Sequence, residues 1–174
     1  MRSVDWKILT AFLAVGAIAP AAVVDKSPGG FLVSHTATVG ATPGQVYTAI
    51  VDGVGKWWDS SHTFSGDSKN LSITAKAGGC FCERLPPDGS AQHMTVIHAA
   101  PGKLLRMSGA LGPMQPSGIV GTLTFELKAD GANTQINMTY SAGGYFPGGI
   151  ESLAGPVDQV LGAQLALLKK YLTR

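Results

Sequence analysis

The last stretch of the chain, residues 150–172, constrains the fold more than any other segment. It reads IESLAGPVDQVLGAQLALLKKYL, and its apolar residues recur at the spacing of one helix face. The apolar stripe comprises Ile150, Leu153, Val157, Val160, Leu161, Leu165, Leu168 and Leu172. The polar residues that lie mostly off it are Asp158, Gln159, Lys169 and Lys170. A helix this long and one-sided needs a broad apolar surface, which the preceding strands can supply.

Gly155-Pro156 interrupts this stretch near its start. Proline lacks a backbone N–H and its ring clashes with the preceding turn, so we expect the helix to kink or restart there. Residues 150–154 would then form a separate flap, hinged on the glycines between Gly143 and Gly149. The section from Pro156 onward would form the main helix.

Alternation of apolar and polar residues predicts an antiparallel sheet before this helix. A first strand spans residues 31–41, Thr42-Pro43 starts a short helix, and a second helical turn follows at residues 56–59. Six further strands, joined by hairpin-length turns, lie near residues 71–76, 80–85, 92–99, 104–111, 119–128 and 134–145. The sequence therefore predicts an α+β fold, in which a curved sheet of about seven strands wraps on a long C-terminal helix.

Composition excludes several classes of function. The chain has 174 residues, enough for one domain with a substantial core, and it shows neither an internal repeat nor a linker. Charged residues make up 14% and the formal net charge is +2, which argues against a nucleic-acid partner. The sequence contains no P-loop, no dinucleotide-binding glycine pattern, no H-E-x-x-H and no G-x-S-x-G. We therefore expect no cofactor and no metal.

Residues 1–21 have the features of a secretory signal peptide. Arg2 and Lys7 precede or flank an apolar run, and Ala19-Pro20-Ala21 supplies small residues for cleavage after Ala21. The apolar run, residues 8–24, is at the short limit for a spanning helix, so an uncleaved membrane anchor is the alternative. We expect a periplasmic or secreted protein with a flexible leader at residues 22–30. A membrane would be a partner only if the N-terminal segment stays uncleaved.

Two cysteines, Cys80 and Cys82, stand two residues apart in a predicted strand. Side chains at that spacing project from one face, a geometry that disfavours a mutual disulfide. The pair supplies too few ligands for a metal ion, and the nearby histidines lack a zinc-ligand spacing. We therefore interpret them as two small strand residues, with a redox or metal role as the alternative.

Five motifs, taken in their order along the chain, carry a resemblance to a known superfamily. They are Trp57-Trp58, GGCFCE at residues 78–83, APGKL at 100–104, GALGPMQ at 109–115, and GGYFPGG…LAGPVDQVLGAQL between Gly143 and Leu165. Together they resemble the START-like, or SRPBCC, superfamily with its helix-grip fold, and within it a bacterial subgroup of unassigned function. Polyketide cyclases and heat-shock ATPase activators are relatives. The resemblance describes residues 31–174 as a single START-like domain.

The resemblance implies a cavity between the curved sheet and the final helix, suited to a small hydrophobic molecule. It implies no particular reaction, because one fold hosts many functions and the catalytic members place different polar residues in this cavity. An ATPase-activator role is disfavoured, since an exported protein would meet neither that chaperone nor cytoplasmic ATP.

Strand alternation predicts that four polar side chains face this cavity. They are His35, Glu83, His98 and Tyr140. The direction of His98 stays undecided, because its neighbours allow either face, whereas His62 and His93 are assigned to a loop and to the solvent face. Burial raises the pKa of a carboxylate and lowers that of an imidazole, as acid–base chemistry requires. The candidate catalytic residues are therefore Glu83 and, as its partner, either His35 or His98.

Three functions are compatible with these patterns, and whether a reaction is catalysed stays undecided. The first is a binding module whose expected pocket residues are Trp57, Phe81, Met107, Met114, Phe125, Met138, Tyr140, Leu153 and Val157. Met114 would lie on a mobile loop over the mouth. The second is an enzyme of the cyclase or dehydratase type. The third is a structural or partner-binding domain filled by its own side chains, which a cavity well under roughly 300 Å³ would favour.

Overall fold

Eight strands and three α-helices make up residues 22–174, the part of the chain that the computed structural model describes. In chain order they are β1 (Ala22–Ser27), β2 (Gly30–Val39), α1 (Pro43–Asp52), α2 (Val54–Trp57), β3 (Leu71–Ile73), β4 (Cys80–Leu85), β5 (Gly89–Ala100), β6 (Leu104–Gly109), β7 (Gly118–Asp130), β8 (Asn133–Tyr145) and α3 (Ala154–Leu172). Short 3-10 turns lie at Ser60–His62, Ser68–Asn70, Gly112–Met114 and Ile150–Leu153. No helix in this part of the chain is long and apolar enough to span a membrane. The signal peptide predicted at residues 1–21 lies outside the described residues.

All eight strands form one antiparallel sheet in the order β1-β2-β8-β7-β6-β5-β4-β3. The predicted α+β class with a helix-grip arrangement is confirmed, but the sheet has eight strands rather than about seven. The additional strand is β1, formed by residues that we expected in a flexible leader. Ser27 lies opposite Gly30, so Pro28 and Gly29 form a two-residue hairpin turn, a length that favours antiparallel pairing.

Thr42 caps α1, as the sequence predicts. Its side-chain oxygen accepts a hydrogen bond from the backbone N–H of Gln45, and the Gln45 side chain accepts one from the backbone N–H of Thr42. This reciprocal pair is a capping box, and Pro43 fits the first helical position because no N–H donor is needed there. The helix packs on β7 and α3.

The chain restarts at Ala154 to form α3, after the 3-10 turn at Ile150–Leu153. Pro156 is the third residue of α3, in the first turn, where backbone N–H groups have no helical partner, so the proline is accommodated there without a kink. Of the two expected outcomes, kink or restart, the structure shows the restart, but the main helix begins at Ala154 and not at Pro156. The buried residues of α3 include Leu161, Leu165 and Leu168, and the helix packs most extensively on β2.

Two polar residues of α3 are buried, which the apolar stripe does not predict. Asp158 is 5% exposed, and Gln164 is fully buried with its side-chain oxygen accepting the backbone N–H of Asp59 at 2.9 Å. Asp158 precedes Leu161 by three residues and Leu165 by seven, so it lies on the buried face. The face of α3 that meets the sheet is therefore broader than the apolar stripe.

A β-bulge in β5 changes which side chains face inward. Cys82 lies opposite Gln92 and Phe81 lies opposite Met94, so the intervening His93 has no partner in β4. A bulged residue interrupts strict alternation and can turn its side chain to the same side as its neighbour. His93 and Met94 are accordingly both buried.

Cys80 and Cys82 form a disulfide, so the interpretation of two unpaired strand residues is wrong. Their Cα atoms are 5.3 Å apart, whereas residues two apart in a regular strand are separated by about 6.6 Å. The shortened segment lies opposite the bulge at His93, and bulges increase the local bend and twist of a strand pair. This local shape brings two side chains of one face within bonding distance.

Candidate functional site

A cavity of about 270 Å³ lies between β4, β5 and the first turns of α3. The loop after α2 and the 3-10 turn at Gly112–Met114 complete its wall. The lining residues are Trp58, Ser61, His62, Thr63, Phe64, Leu71, Phe81, His93, Leu111, Gly112, Pro113, Met114, Leu153, Pro156, Val157, Val160 and Leu161. A mostly apolar wall with a few polar side chains is typical of ligand sites, whose volumes start at about 300 Å³. Because an apolar cavity of about 150 Å³ holds benzene, a molecule of one or two rings fits here.

Trp58, rather than the expected Trp57, lines the cavity. The indole N–H of Trp57 donates to the carbonyl oxygen of Ala49 at 2.9 Å, which places this ring in the packing between α1 and α2. The indole N–H of Trp58 donates to the carbonyl oxygen of His62 at 3.1 Å. The Trp58 ring meets Phe81 edge-on, with centroids 5.5 Å apart. These two contacts hold an aromatic wall in place.

His93 is a polar side chain in this wall, and it is 7% exposed. Its ring stacks on Phe64, with centroids 5.3 Å apart and planes 13° apart, and its centroid lies 5.1 Å from that of Phe81. Its Nε2 lies 2.9 Å from Oε2 of Glu83. The assignment of His93 to the solvent face is wrong because the bulge turns the side chain inward.

Glu83 lies behind His93 and is 1% exposed. Its carboxylate also accepts the backbone N–H groups of Phe64, at 3.0 Å, and Ser65, at 2.5 Å. Burial raises the pKa of Glu83, but the hydrogen bonds from Ser65, Phe64 and His93 together outweigh burial and hold the pKa below its ordinary value of 4.5. The expectation of a raised pKa is therefore wrong. Glu83 is a carboxylate at neutral pH that anchors the loop and orients His93.

His35 faces α3, but it pairs with Asp158 and not with Glu83. Its Nε2 lies 2.9 Å from Oδ1 of Asp158. The two atoms lack hydrogen-bonding geometry, so the contact is electrostatic when the imidazole is protonated. The ring occupies space that Gly162 leaves, since a Cβ there would lie 2.9 Å from Cε1 of His35. His35 is thus part of the contact between β2 and α3 and does not line the cavity.

A second bulge in β5 directs His98 to solvent. Val96 lies opposite Met107 and His98 opposite Arg106, so Ile97 has no partner in β6. Ile97 and His98 are both exposed. The structure therefore brings neither His98 nor His35 to Glu83, and the acid–base pairings that we expected for Glu83 are contradicted. Its histidine partner is His93.

Four of the expected pocket residues line the cavity, namely Phe81, Met114, Leu153 and Val157. The other five lie in a filled part of the core, namely Trp57, Met107, Phe125, Met138 and Tyr140. The ring of Tyr140 lies over Gly121, where a Cβ would overlap it, and it meets Phe31 edge-on with centroids 6.2 Å apart. Burial raises the pKa of Tyr140 to about 12. Large side chains thus fill the middle of the sheet, and the cavity lies toward the β4 end.

Besides Trp58, the site residues that sequence patterns did not identify are His93 and the loop after α2. The loop contributes Ser61, Thr63 and Phe64 to the wall. Irregular segments have no periodicity from which a side-chain direction can be read. The paired tryptophans pointed to this region, but their spacing did not show which ring faces the cavity.

No protein-family model and no curated protein matches the chain. Solved structures do match it. CalU16 from Micromonospora echinospora superposes with a TM-score of 0.57 at 14% identity, covering 82% of this chain and 74% of that chain. Mll3558 protein from Rhizobium loti gives a TM-score of 0.60 at 20% identity and coverages of 80% and 94%. The Aha1 dimer from Colwellia psychrerythraea gives 0.57 at 21% identity and coverages of 81% and 95%.

At these identities the likeness concerns the fold and not the activity. CalU16 and Aha1 have the SRPBCC, polyketide cyclase-like fold. This chain shares with that fold the curved antiparallel sheet, the two short helices α1 and α2 that follow β2, and the long C-terminal helix α3. The resemblance on the sequence motifs and the superposed structures agree on the fold: the chain has a helix-grip fold, as CalU16 and Aha1 do.

Proposed function

We propose that this protein is an exported binding domain that holds a small hydrophobic molecule between β4, β5 and the first turns of α3. The observation that carries the proposal is the cavity of about 270 Å³, whose wall combines aromatic and aliphatic side chains with one buried histidine. The fold supports it, because proteins of this fold bind small hydrophobic ligands. We do not favour the third expected function, since the core is filled in its middle but not at this end.

The wall has adaptable parts, which a binding site for a varied or flexible molecule needs. Met114 lies on a short 3-10 turn, and its unbranched side chain adopts several shapes at low cost. Phe64 is 48% exposed although its backbone N–H is held by Glu83, so its ring can move while the loop stays anchored. Ligand uptake would thus require side-chain motion and no rearrangement of the sheet.

Binding of naphthalene, measured by calorimetry, tests the proposal. We expect saturable binding of one molecule to the wild type. Val157→Trp adds a large side chain to the cavity wall and should abolish binding. Val120→Trp makes the same change at a position that is 64% exposed, and it should bind as the wild type does. Equal binding by all three proteins, or no binding by the wild type, would rule out the cavity as the site.

Export is supported by the N-terminal pattern and by the disulfide, because disulfides persist mainly in oxidising compartments. Mass spectrometry of the protein recovered from its own source should give the mass of residues 22–174. A mass that includes residues 1–21 would instead support the membrane anchor. Under native conditions the same measurement would identify a bound natural ligand.

A proton-transfer enzyme of the cyclase or dehydratase type is the second candidate, and the pair of Glu83 and His93 favours it. A buried carboxylate that orients a histidine at a cavity wall is an arrangement that general acid–base catalysis uses. Glu83→Gln should reduce conversion of the natural ligand far more than it weakens its binding. If the wild type converts no ligand that it binds, the enzyme reading fails and the binding function stands.

A further inference from the structure

The two ring nitrogens of His93 have different environments. Nε2 lies 2.9 Å from the Glu83 carboxylate, whereas Nδ1 has no hydrogen-bond partner within residues 22–174. The side chain is nine-tenths buried and belongs to the cavity wall. Nδ1, the nitrogen without a partner, therefore belongs to a ring that lines the cavity.

Glu83 determines the tautomer of the neutral His93 ring. Its pKa is held below the ordinary value, so it is ionised at neutral pH and can only accept hydrogen bonds. Nε2 must then carry the hydrogen and donate it to Oε2 of Glu83. In this tautomer Nδ1 has a lone pair and no hydrogen, and it acts as an acceptor.

The surroundings of this acceptor are aromatic. Phe64 stacks on one face of the His93 ring, and Phe81 and Trp58 continue the wall. Nδ1 is not among the fully buried unpaired atoms of residues 22–174, so solvent can reach it, and a donor on a bound molecule can take the place of that solvent. A flat ring in the cavity that carries a donor at its edge can pack on the aromatic wall and supply that hydrogen.

We propose that the cavity selects one- or two-ring aromatic molecules that carry an O–H or N–H group, and that Nδ1 of His93 accepts this hydrogen. The inference rests on the proposed binding function and names the ligand class of the same cavity. His93 is on this reading the residue that determines specificity, and Glu83 positions it.

The test compares two ligands of nearly equal size, 1-naphthol, which carries an O–H, and 1-methylnaphthalene, which does not. Their dissociation constants are measured with the wild type, with His93→Phe and with the control His98→Phe, which makes the same change at an exposed position of β5. We expect His93→Phe to weaken the binding of 1-naphthol by about tenfold more than the binding of 1-methylnaphthalene, because one hydrogen bond to 1-naphthol is lost. His98→Phe should leave the ratio unchanged.

Two results separate the claims. If the wild type binds both ligands and the ratio is the same in His93→Phe, the inference is overturned while the binding function stands. If the wild type binds neither ligand, the binding function fails and the inference falls with it. Should His93→Phe not fold, nitrogen NMR of wild-type His93 decides: the Nδ1 resonance should move with 1-naphthol and not with 1-methylnaphthalene, and an unmoved resonance overturns the inference.

Discussion

Glu83 links the strand, the loop and the histidine of the candidate site. Its carboxylate accepts hydrogen bonds from His93 and from the backbone of Phe64 and Ser65, while it is almost completely buried. Hydrogen bonds to a charged, buried group are among the stronger ones in proteins, and the group is costly to bury without them. The stability of this end of the molecule should therefore depend on the charge of one residue.

Glu83→Gln should lower the free energy of unfolding by about 1.5–3 kcal/mol at neutral pH, because hydrogen bonds to a charged group are replaced by weaker ones. The pKa of Glu83 is lowered in the native state, so the native state binds its proton less tightly than the unfolded chain does. The stabilisation is thus present above about pH 4.5 and lost as the pH falls through the native pKa. Urea unfolding between about pH 7 and pH 3 should show the difference between the two proteins shrinking with acid. A difference that stays constant would contradict this account.

Gly121→Ala should destabilise the protein by about 1–3 kcal/mol, because the added methyl group would overlap the fully buried ring of Tyr140. Thermal or urea unfolding measures the loss. Gly44→Ala is the matched control: it lies in α1, where an added Cβ meets no atom within 4 Å, and it should cost nothing.

The overlap with Tyr140 is tested by a double-mutant cycle. In a Tyr140→Leu background, Gly121→Ala should cost clearly less than in the wild type, since the smaller side chain leaves room for the methyl group. Equal costs in both backgrounds would show that the ring does not fill the space over Gly121.

Residue directions were predictable where the strand pairing is regular. In β7 and β8 the alternation correctly places Leu123, Phe125 and Met138 inside, because each residue has one partner and the period stays at two. At His93 and Ile97 an unpaired residue interrupts the alternation, so the side chains that follow point to the opposite side from the one that strict alternation predicts. Nothing in the local sequence marks such a bulge. The partner of Glu83 was missed for this reason.

Among the elements, β4 combines the disulfide on one face with Phe81 and Glu83 on the other. Cys80 and Cys82 are both half-buried, while Phe81 and Glu83 are buried. The disulfide therefore closes a very short loop directly behind two residues of the candidate site. Its formation could not be predicted from spacing alone, because the Cα separation depends on the local bend of the strand.

The purified protein should take up no thiol-alkylating reagent before reduction and two equivalents after it, as mass spectrometry would show. Replacing both cysteines by serine should lower the free energy of unfolding by about 1–2 kcal/mol, the value that loop-closure entropy gives for so short a loop. Two reactive thiols in protein that has never been reduced would mean that the pair is not bonded.

We expect the turn before α3 to be less stable than the helix itself. Ser152 donates its backbone N–H to Gly149 at a long 3.4 Å, and both Gly148 and Gly149 have positive φ angles, 87° and 96°. Leu153 borders the cavity, so motion of this turn would give a ligand access. A restart near Pro156 was predictable because proline acts on the backbone locally, although the helix begins two residues earlier, at Ala154. Burial of Asp158 was not predictable, because it depends on His35 in a distant strand.

Amide hydrogen exchange should show weaker protection in residues 150–153 than in residues 160–168 of α3. The 3-10 turn has only four residues and its Ser152 N–H lies 3.4 Å from the Gly149 oxygen, whereas the middle of α3 belongs to a helix of 19 residues packed on β2. Equal protection in the two segments would contradict the idea of a separable flap.

Across the whole molecule, a curved sheet of eight strands and a single long helix enclose a core that is filled in the middle and hollow at the β4 end. The fold was predictable because period, turn residues and element order all agree along the chain. The position of the cavity was not, because it depends on how large side chains such as Tyr140 and Trp57 share space across strands far apart in sequence. The extra strand β1 was hidden by its place next to the predicted signal peptide.

The location of a bound ligand tests the central claim most directly. Naphthalene added to isotope-labelled wild-type protein should shift the NMR signals of the loop after α2, of Phe81 and His93, and of residues 153–161, and it should do so saturably. The signals of Phe125 and Met138 in the filled core should move little. Saturable shifts centred on the filled core or on the outer face of the sheet, or no saturable shifts at all, would contradict a ligand site between β4, β5 and α3.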